Sequence, residues 1–145
     1  MKTKEVIEMV MKSRSKKNKG IRLQNYVKKK LIETFGFSET EVKPAIMGER
    51  GIDIHLSAEA LKRFPFSIEC KNQERWNVPK FWKQTVENTL NETMPLLVLK
   101  KNRSEVLAVM RFEDLLRVML NEFGKTNRPR GGKVGIENQK SSGNI

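Results

Sequence analysis

Three side chains combine types and spacing that could do chemistry. Asp53 lies in an alternating stretch, Ile52 to Leu56, that puts Ile52, Ile54 and Leu56 on one side and Asp53 and His55 on the other. Phe66 to Lys71 alternates again, with Glu69 and Lys71 at i and i+2, so both side chains leave the strand on the same face. If the two strands pair as a hairpin, Asp53 comes within reach of Glu69. Two carboxylates and an ammonium in the middle of a sheet are costly to bury without compensation. A divalent cation would compensate: Mg²⁺ takes oxygen ligands, commonly one or two carboxylates together with water and substrate phosphate. The Cys70 main-chain carbonyl lies between the Glu69 and Lys71 side chains and adds a further oxygen. Lys71 would then face an attacking water or the phosphoryl oxygens and offset growing negative charge. A Glu-x-Lys pair on a strand is also an ordinary exposed ion pair worth little. Gly48 and Gly51 just ahead of Asp53 favour the chemical reading, because they let backbone approach a ligand closely.

The elements that must hold these residues can be read from periodicity. Leu23, Val27, Leu31 and Phe35 recur every four residues and predict a helix over Ile21 to Phe35, closed by Gly36. A short helix over Glu5 to Met11 and a loose basic linker are expected before it. Glu41 to Ile46 is a short strand with Pro44 in it, which suits a sheet edge. Met47 to Gly51 is a turn, and Ala58 to Arg63 a helical turn. Asn77 and Pro79 announce a helix over Val78 to Leu90. Pro95 to Leu99 reads as a buried strand and Glu105 to Met110 as its hairpin partner. Phe112 to Phe123 is a closing amphipathic helix whose inner face would be Phe112, Leu115, Leu116, Met119 and Leu120. The order αβββαββα predicts an α/β fold, a central mixed β-sheet flanked by helices.

Charge divides the chain. Of 145 residues, 29 are Lys or Arg and 17 are Asp or Glu, a formal net charge of +12. Residues 12 to 30 hold nine basic residues and no acid, and residues 124 to 145 hold five basic residues and one acid. The remainder is close to neutral. We therefore expect a basic N-terminal segment (1–19), a folded domain (20–123) and a basic, glycine-rich tail (124–145) too poor in apolar residues to order alone. Such charge favours a polyanion through counterion release. No apolar run is long enough to span a membrane, and the basic start lacks the features of a secretory signal. One cysteine (Cys70) and one histidine (His55) exclude an internal disulfide and Cys- or His-based metal clusters, and point to a reducing cytoplasm. Cys70 itself reads as a small buried apolar residue. His55 could serve as a base but more readily as a hydrogen-bonded or exposed residue. Trp76 and Trp82 suit packing better than base stacking. Lys17, Lys19, Arg22 and Arg50 are the candidate phosphate contacts, Arg50 first because its turn adjoins Asp53.

The stretch Asp53 … Ile68-Glu69-Cys70-Lys71 resembles the Asp-(x)n-Glu-x-Lys signature of the PD-(D/E)xK nuclease superfamily. Met47 to Ile54, Phe64 to Glu74, Trp82-Lys83-Gln84 and Lys19 to Gln24 are similar to phage Holliday junction resolvase-like endonucleases, over about residues 18–118. The resemblance implies a restriction-endonuclease-like fold and a metal-dependent DNA endonuclease acting on branched DNA, most typically four-way junctions. It implies Asp53 and Glu69 as ligands of Mg²⁺ or Mn²⁺ with Lys71 beside them. Gln84 matches a glutamine that such enzymes bring to the site from the following helix. Gln24 stands where archaeal-type resolvases carry a first-helix carboxylate, and its amide could order a water. Many relatives are homodimers. In a phage-encoded enzyme the setting would be the host cytoplasm. The alternatives are another structure-selective or nicking nuclease, a non-catalytic nucleic-acid-binding protein with this fold, or an adaptor acting through its tail.

Overall fold

The computed structural model describes residues 2–123; the basic tail expected over 124–145 lies outside the described residues. The chain order is α1 (Lys2–Phe35), β1 (Val42–Pro44), β2 (Ile54–Leu56), α2 (Ala58–Arg63), β3 (Phe66–Asn72), α3 (Val78–Asn88), β4 (Met94–Lys100), β5 (Leu107–Val109) and α4 (Phe112–Phe123). The strands form one mixed sheet in the order β1-β2-β3-β4-β5. β3 and β4 are parallel, from Phe66 opposite Met94 to Asn72 opposite Lys100, with α3 as the crossover between them. The other neighbours are antiparallel. This is the expected α/β architecture. Pro44 sits on edge strand β1, where its missing N–H costs no ladder bond.

Helices cover both faces at β3, which decides how buried the polar residues there become. Leu23, Val27 and Leu31 of α1 form the main core with Ile54, Phe66, Ile68, Cys70 and Val98. Phe81 of α3 packs on Leu97 and Leu99, with Trp76 and Trp82 against them. Even-numbered residues of β3 thus meet α1, and Ser67, Glu69 and Lys71 lie on the other side. Two caps fix α3 and α2: Asn77, where the sequence suggests it, accepts from the Lys80 N–H, and Ser57, which the sequence pattern does not single out, accepts from the Ala60 N–H. α1 ends on Gly36 at φ +70°, with its N–H donating to Ile32 O.

Two expectations are corrected. The short helix and loose linker expected before residue 20 merge with the Ile21 helix into one continuous element; α1 crosses Ser13 to Gly20 without a break. That stretch is polar all round, so it shows no apolar period, yet nothing in it breaks a helix except the single Gly20. The second correction concerns α4. Phe112, Leu115, Leu116, Met119 and Leu120, expected to face inward, are all exposed. The face turned to the core is instead marked by buried Asp114, flanked by Arg111 and Arg117, and by half-buried Val118.

Candidate active site on strands β2 and β3

β2 pairs with β3 at only one register position, Ile54 opposite Ile68, with the Asp53 N–H donating to Ile68 O. Beyond that point β2 turns away. Odd-numbered residues of β3 bond to β4, as the Met94 N–H to Pro65 O and Gln73 N–H to Lys100 O bonds show. The N–H and C=O of Cys70 therefore face the side that β2 has left. The Asp53 carboxylate takes the place of the missing strand: its Oδ2 accepts from the Cys70 N–H at 2.7 Å. Gly51, at φ +110°, makes the turn that sends the chain into this position.

Glu69 is 3% exposed, and Lys71 Nζ lies 3.0 Å from its Oε1. The ammonium also sits 5.7 Å from the Phe81 ring centre, so α3 supplies an aromatic floor beneath it. Burial pushes the Asp53 pKa up from 3.8 to about 6; the Cys70 N–H works against that rise, the Glu69 charge adds to it, and Lys71 and Gln24 oppose it. A carboxylate raised by burial and a neighbouring acid is one that a bound cation would relieve. Burial likewise pushes the Cys70 thiol up, in keeping with a packed rather than nucleophilic side chain.

Asp53, Glu69 and Lys71, three of the expected site residues, converge. Gln24, half-buried on α1, lies near enough to the Asp53 carboxyl to favour its charged form. Gln84 is exposed on α3 and makes no hydrogen bond among the described residues to either acid. One helical turn further, Asn88 does: its Nδ2 donates to Glu69 Oε2 at 3.4 Å and to Gly51 O at 3.1 Å. Asn88 thus ties the buried acid to the turn carrying the other. Its place in the last turn of a helix gave no hint of this, although its spacing of four from Gln84 puts both on one face. His55 Nε2 lies 3.1 Å from Glu49 Oε1 and belongs to that turn rather than to the acid pair.

Lys19, Lys71 and Arg75 line a groove of about 550 Å³ beside Cys70, with Lys16 at its edge. A second groove of about 650 Å³ shares Lys19 and Asn72 with it and adds Arg22, Lys100 and Arg103. Asn72 Nδ2 donates to Lys19 O at 2.9 Å, pinning α1 across the end of β3 between the two grooves. Lys17 is exposed on α1, one residue beyond groove-lining Lys16, and Arg50 is exposed in the turn before Asp53.

The donor chemistry suits a hard divalent ion. Among the described residues no cluster of three or more His, Cys, Asp or Glu side chains forms. The available set is two carboxylates, the Cys70 carbonyl and water, which is the oxygen-rich, partly hydrated set that Mg²⁺ accepts and that a structural zinc site does not use.

A mixed sheet with helices on both faces, and a carboxylate at the entry to one strand beside Glu-x-Lys on the next, define a restriction-endonuclease-like nuclease fold. The family model described as phage putative PDDEXK endonuclease matches residues 15–140, and the chain belongs to that family. No curated protein and no solved structure gives a match.

Proposed function

We propose that this protein is a Mg²⁺-dependent endonuclease that hydrolyses phosphodiesters in branched DNA, four-way junctions above all. The observation carrying the catalytic part is the convergence of the Asp53 carboxylate, the buried Glu69 and the Lys71 ammonium beside Cys70, beyond the single register position at which β2 pairs with β3. Asp53, Glu69 and the Cys70 carbonyl would hold Mg²⁺, with Mn²⁺ as a substitute. When bound, such an ion polarises the phosphodiester and makes a coordinated water a stronger nucleophile. Lys71 keeps its ammonium beside Glu69, where it offsets charge on the phosphoryl oxygens. Gln24 orients the Asp53 carboxylate and can order a water. Gln84 stands on the face of α3 that Asn88 turns to the site, positioned to meet substrate.

Lys16, Lys17, Lys19, Arg22 and Arg50 hold the sugar-phosphate backbone, and such contacts position DNA without reading its sequence. Two basic grooves meeting at Lys19 offer more backbone contact than one scissile strand requires, which supports a substrate with more than one arm. Paired cuts across a junction call for two active sites, hence a homodimer. The single buried thiol suits a reducing cytoplasm. No helix among the described residues is long and apolar enough to cross a membrane.

The test is cleavage of a labelled synthetic four-way junction beside flaps, nicked duplexes, plain duplexes and single strands, each with and without Mg²⁺. Junction cutting with Mg²⁺ that is lost in Glu69→Ala while junction binding survives is the expected result. Retained cutting in that variant would reject the site. Preferential cutting of a flap or duplex would keep the chemistry and replace the substrate. Binding without cutting of any substrate by the wild type would favour a non-catalytic DNA-binding role.

A further inference from the structure

α4 carries an apolar surface without a partner among the described residues. Phe112, Leu115, Leu116, Met119 and Leu120 are 67%, 40%, 52%, 47% and 62% exposed. Their spacing of three and four makes one continuous stripe along the helix. The helix cannot simply roll to bury it, because Asp114 on the opposite side is 4% exposed between Arg111 and Arg117, and Val118 packs on the main core. Large side chains present about 150–250 Å² each when free, so the stripe exposes on the order of 500 Å². A patch of about 500 Å² is toward the upper end of what a soluble monomer exposes, and such patches are often functional.

We propose that this stripe is the contact between two copies of the chain, formed by antiparallel pairing of α4 with α4 about a twofold axis. The spacing Leu115, Leu116, Met119, Leu120 reads the same in both directions. A twofold axis between residues 117 and 118 therefore sets Leu116 of one copy against Met119 of the other, and Leu115 against Leu120, with no register left over. Two such faces remove on the order of 1,000 Å² together, which reaches the lower bound for a specific interface. The stripe lies on a different element from the acids of β2 and β3, so this contact holds whether or not the nuclease reading does.

The experiment is sedimentation equilibrium of the full chain without DNA, from about 1 to 100 μM, on wild type and on Leu116→Glu/Leu120→Glu. The wild type should shift from monomer to dimer across that range. The double variant should stay monomeric, with an unchanged circular dichroism spectrum and melting temperature. A wild type that is monomeric at 100 μM overturns the proposal, as does a variant that still dimerises. Should the double variant fail to fold, mixing separate Leu116→Cys and Met119→Cys proteins under oxidation gives the same answer. Disulfide-linked heterodimers exceeding either homodimer by about tenfold support the antiparallel contact; equal amounts reject it. A stripe covered by the chain's own tail would show as a monomer at every concentration.

Discussion

The Asp53 carboxylate occupies the hydrogen-bonding position on Cys70 that a longer β2 would have filled, 2.7 Å from the Cys70 nitrogen. The bond therefore does two jobs. It satisfies an amide that the departure of β2 would strand, and it holds the carboxylate where the Glu69 charge acts on it.

This bond and its surroundings make the site sensitive to pH. The folded pKa of Asp53, about 6, exceeds its ordinary 3.8, so the folded chain holds this proton more tightly than the unfolded chain. The resulting stabilisation is complete below about pH 3.8 and is lost as pH rises through about 6. One pKa unit corresponds to about 1.4 kcal/mol, and partial hydration of the carboxyl lowers the full effect to about 1–2 kcal/mol. Thermal melts of metal-free wild type against Asp53→Asn check it: the difference between the two should shrink or reverse from about pH 4 to about pH 6.5. Cleavage should rise across the same range, with a midpoint that moves to lower pH as Mg²⁺ is raised.

Asn88 should behave as a positioning residue. Asn88→Ala frees the Gly51 carbonyl and Glu69 Oε2 together, and loss of such supporting bonds costs about 10–100-fold in metal affinity or rate. Calorimetric titration with Mn²⁺ should show the weakened affinity independently of any cleavage assay. Asn88→Asp should be worse, since it puts a like charge against Glu69.

Gly51→Ala tests the turn. A Cβ there meets open space, so any penalty comes from the backbone at φ +110° alone. We expect a loss of about 1–3 kcal/mol in chemical denaturation. Cleavage should fall further than stability accounts for, because the turn sets where Asp53 begins.

Gly20→Ala should do the opposite. Gly20 lies inside α1 with nothing within 4 Å of the added methyl, so a continuous helix gains about 1 kcal/mol from the change. A destabilised variant would mean that the chain is not helical across residue 20.

Arg22→Ala with Lys16→Ala removes one basic residue from each groove. Junction affinity should weaken several-fold, and the slope of log affinity against log salt should fall by about 2. Fluorescence anisotropy across a salt series measures both. Equal affinity in the variant would move the DNA off these grooves.

Glu69 and Lys71 were legible because period-2 patterning puts them on one face of β3, and Asp53 because it directly precedes the alternating residues of β2. The Asn77 cap, the Gly36 terminus and the edge position of Pro44 were legible because each residue type meets a specific local need. The rest depended on contacts distant in sequence. A helix that is polar all round, like residues 13–20 of α1, carries no apolar period to detect. The spacing in α4 correctly announces an apolar face, but spacing cannot say whether core or another molecule covers it. Asn88 reaches Gly51, 37 residues away, and nothing local in its helix turn encodes that.

The parallel pairing of β3 with β4 has a bearing on when in synthesis the proposed site can form. Glu69 and Lys71 are embedded only once residues up to Lys100 have been made and laid alongside β3 with α3 over them. A nascent chain still short of that length carries both side chains on a strand with an open flank. The order of synthesis therefore leaves the proposed site unassembled until nearly the whole sheet exists, and chains truncated before Lys100 should show no cleavage of DNA.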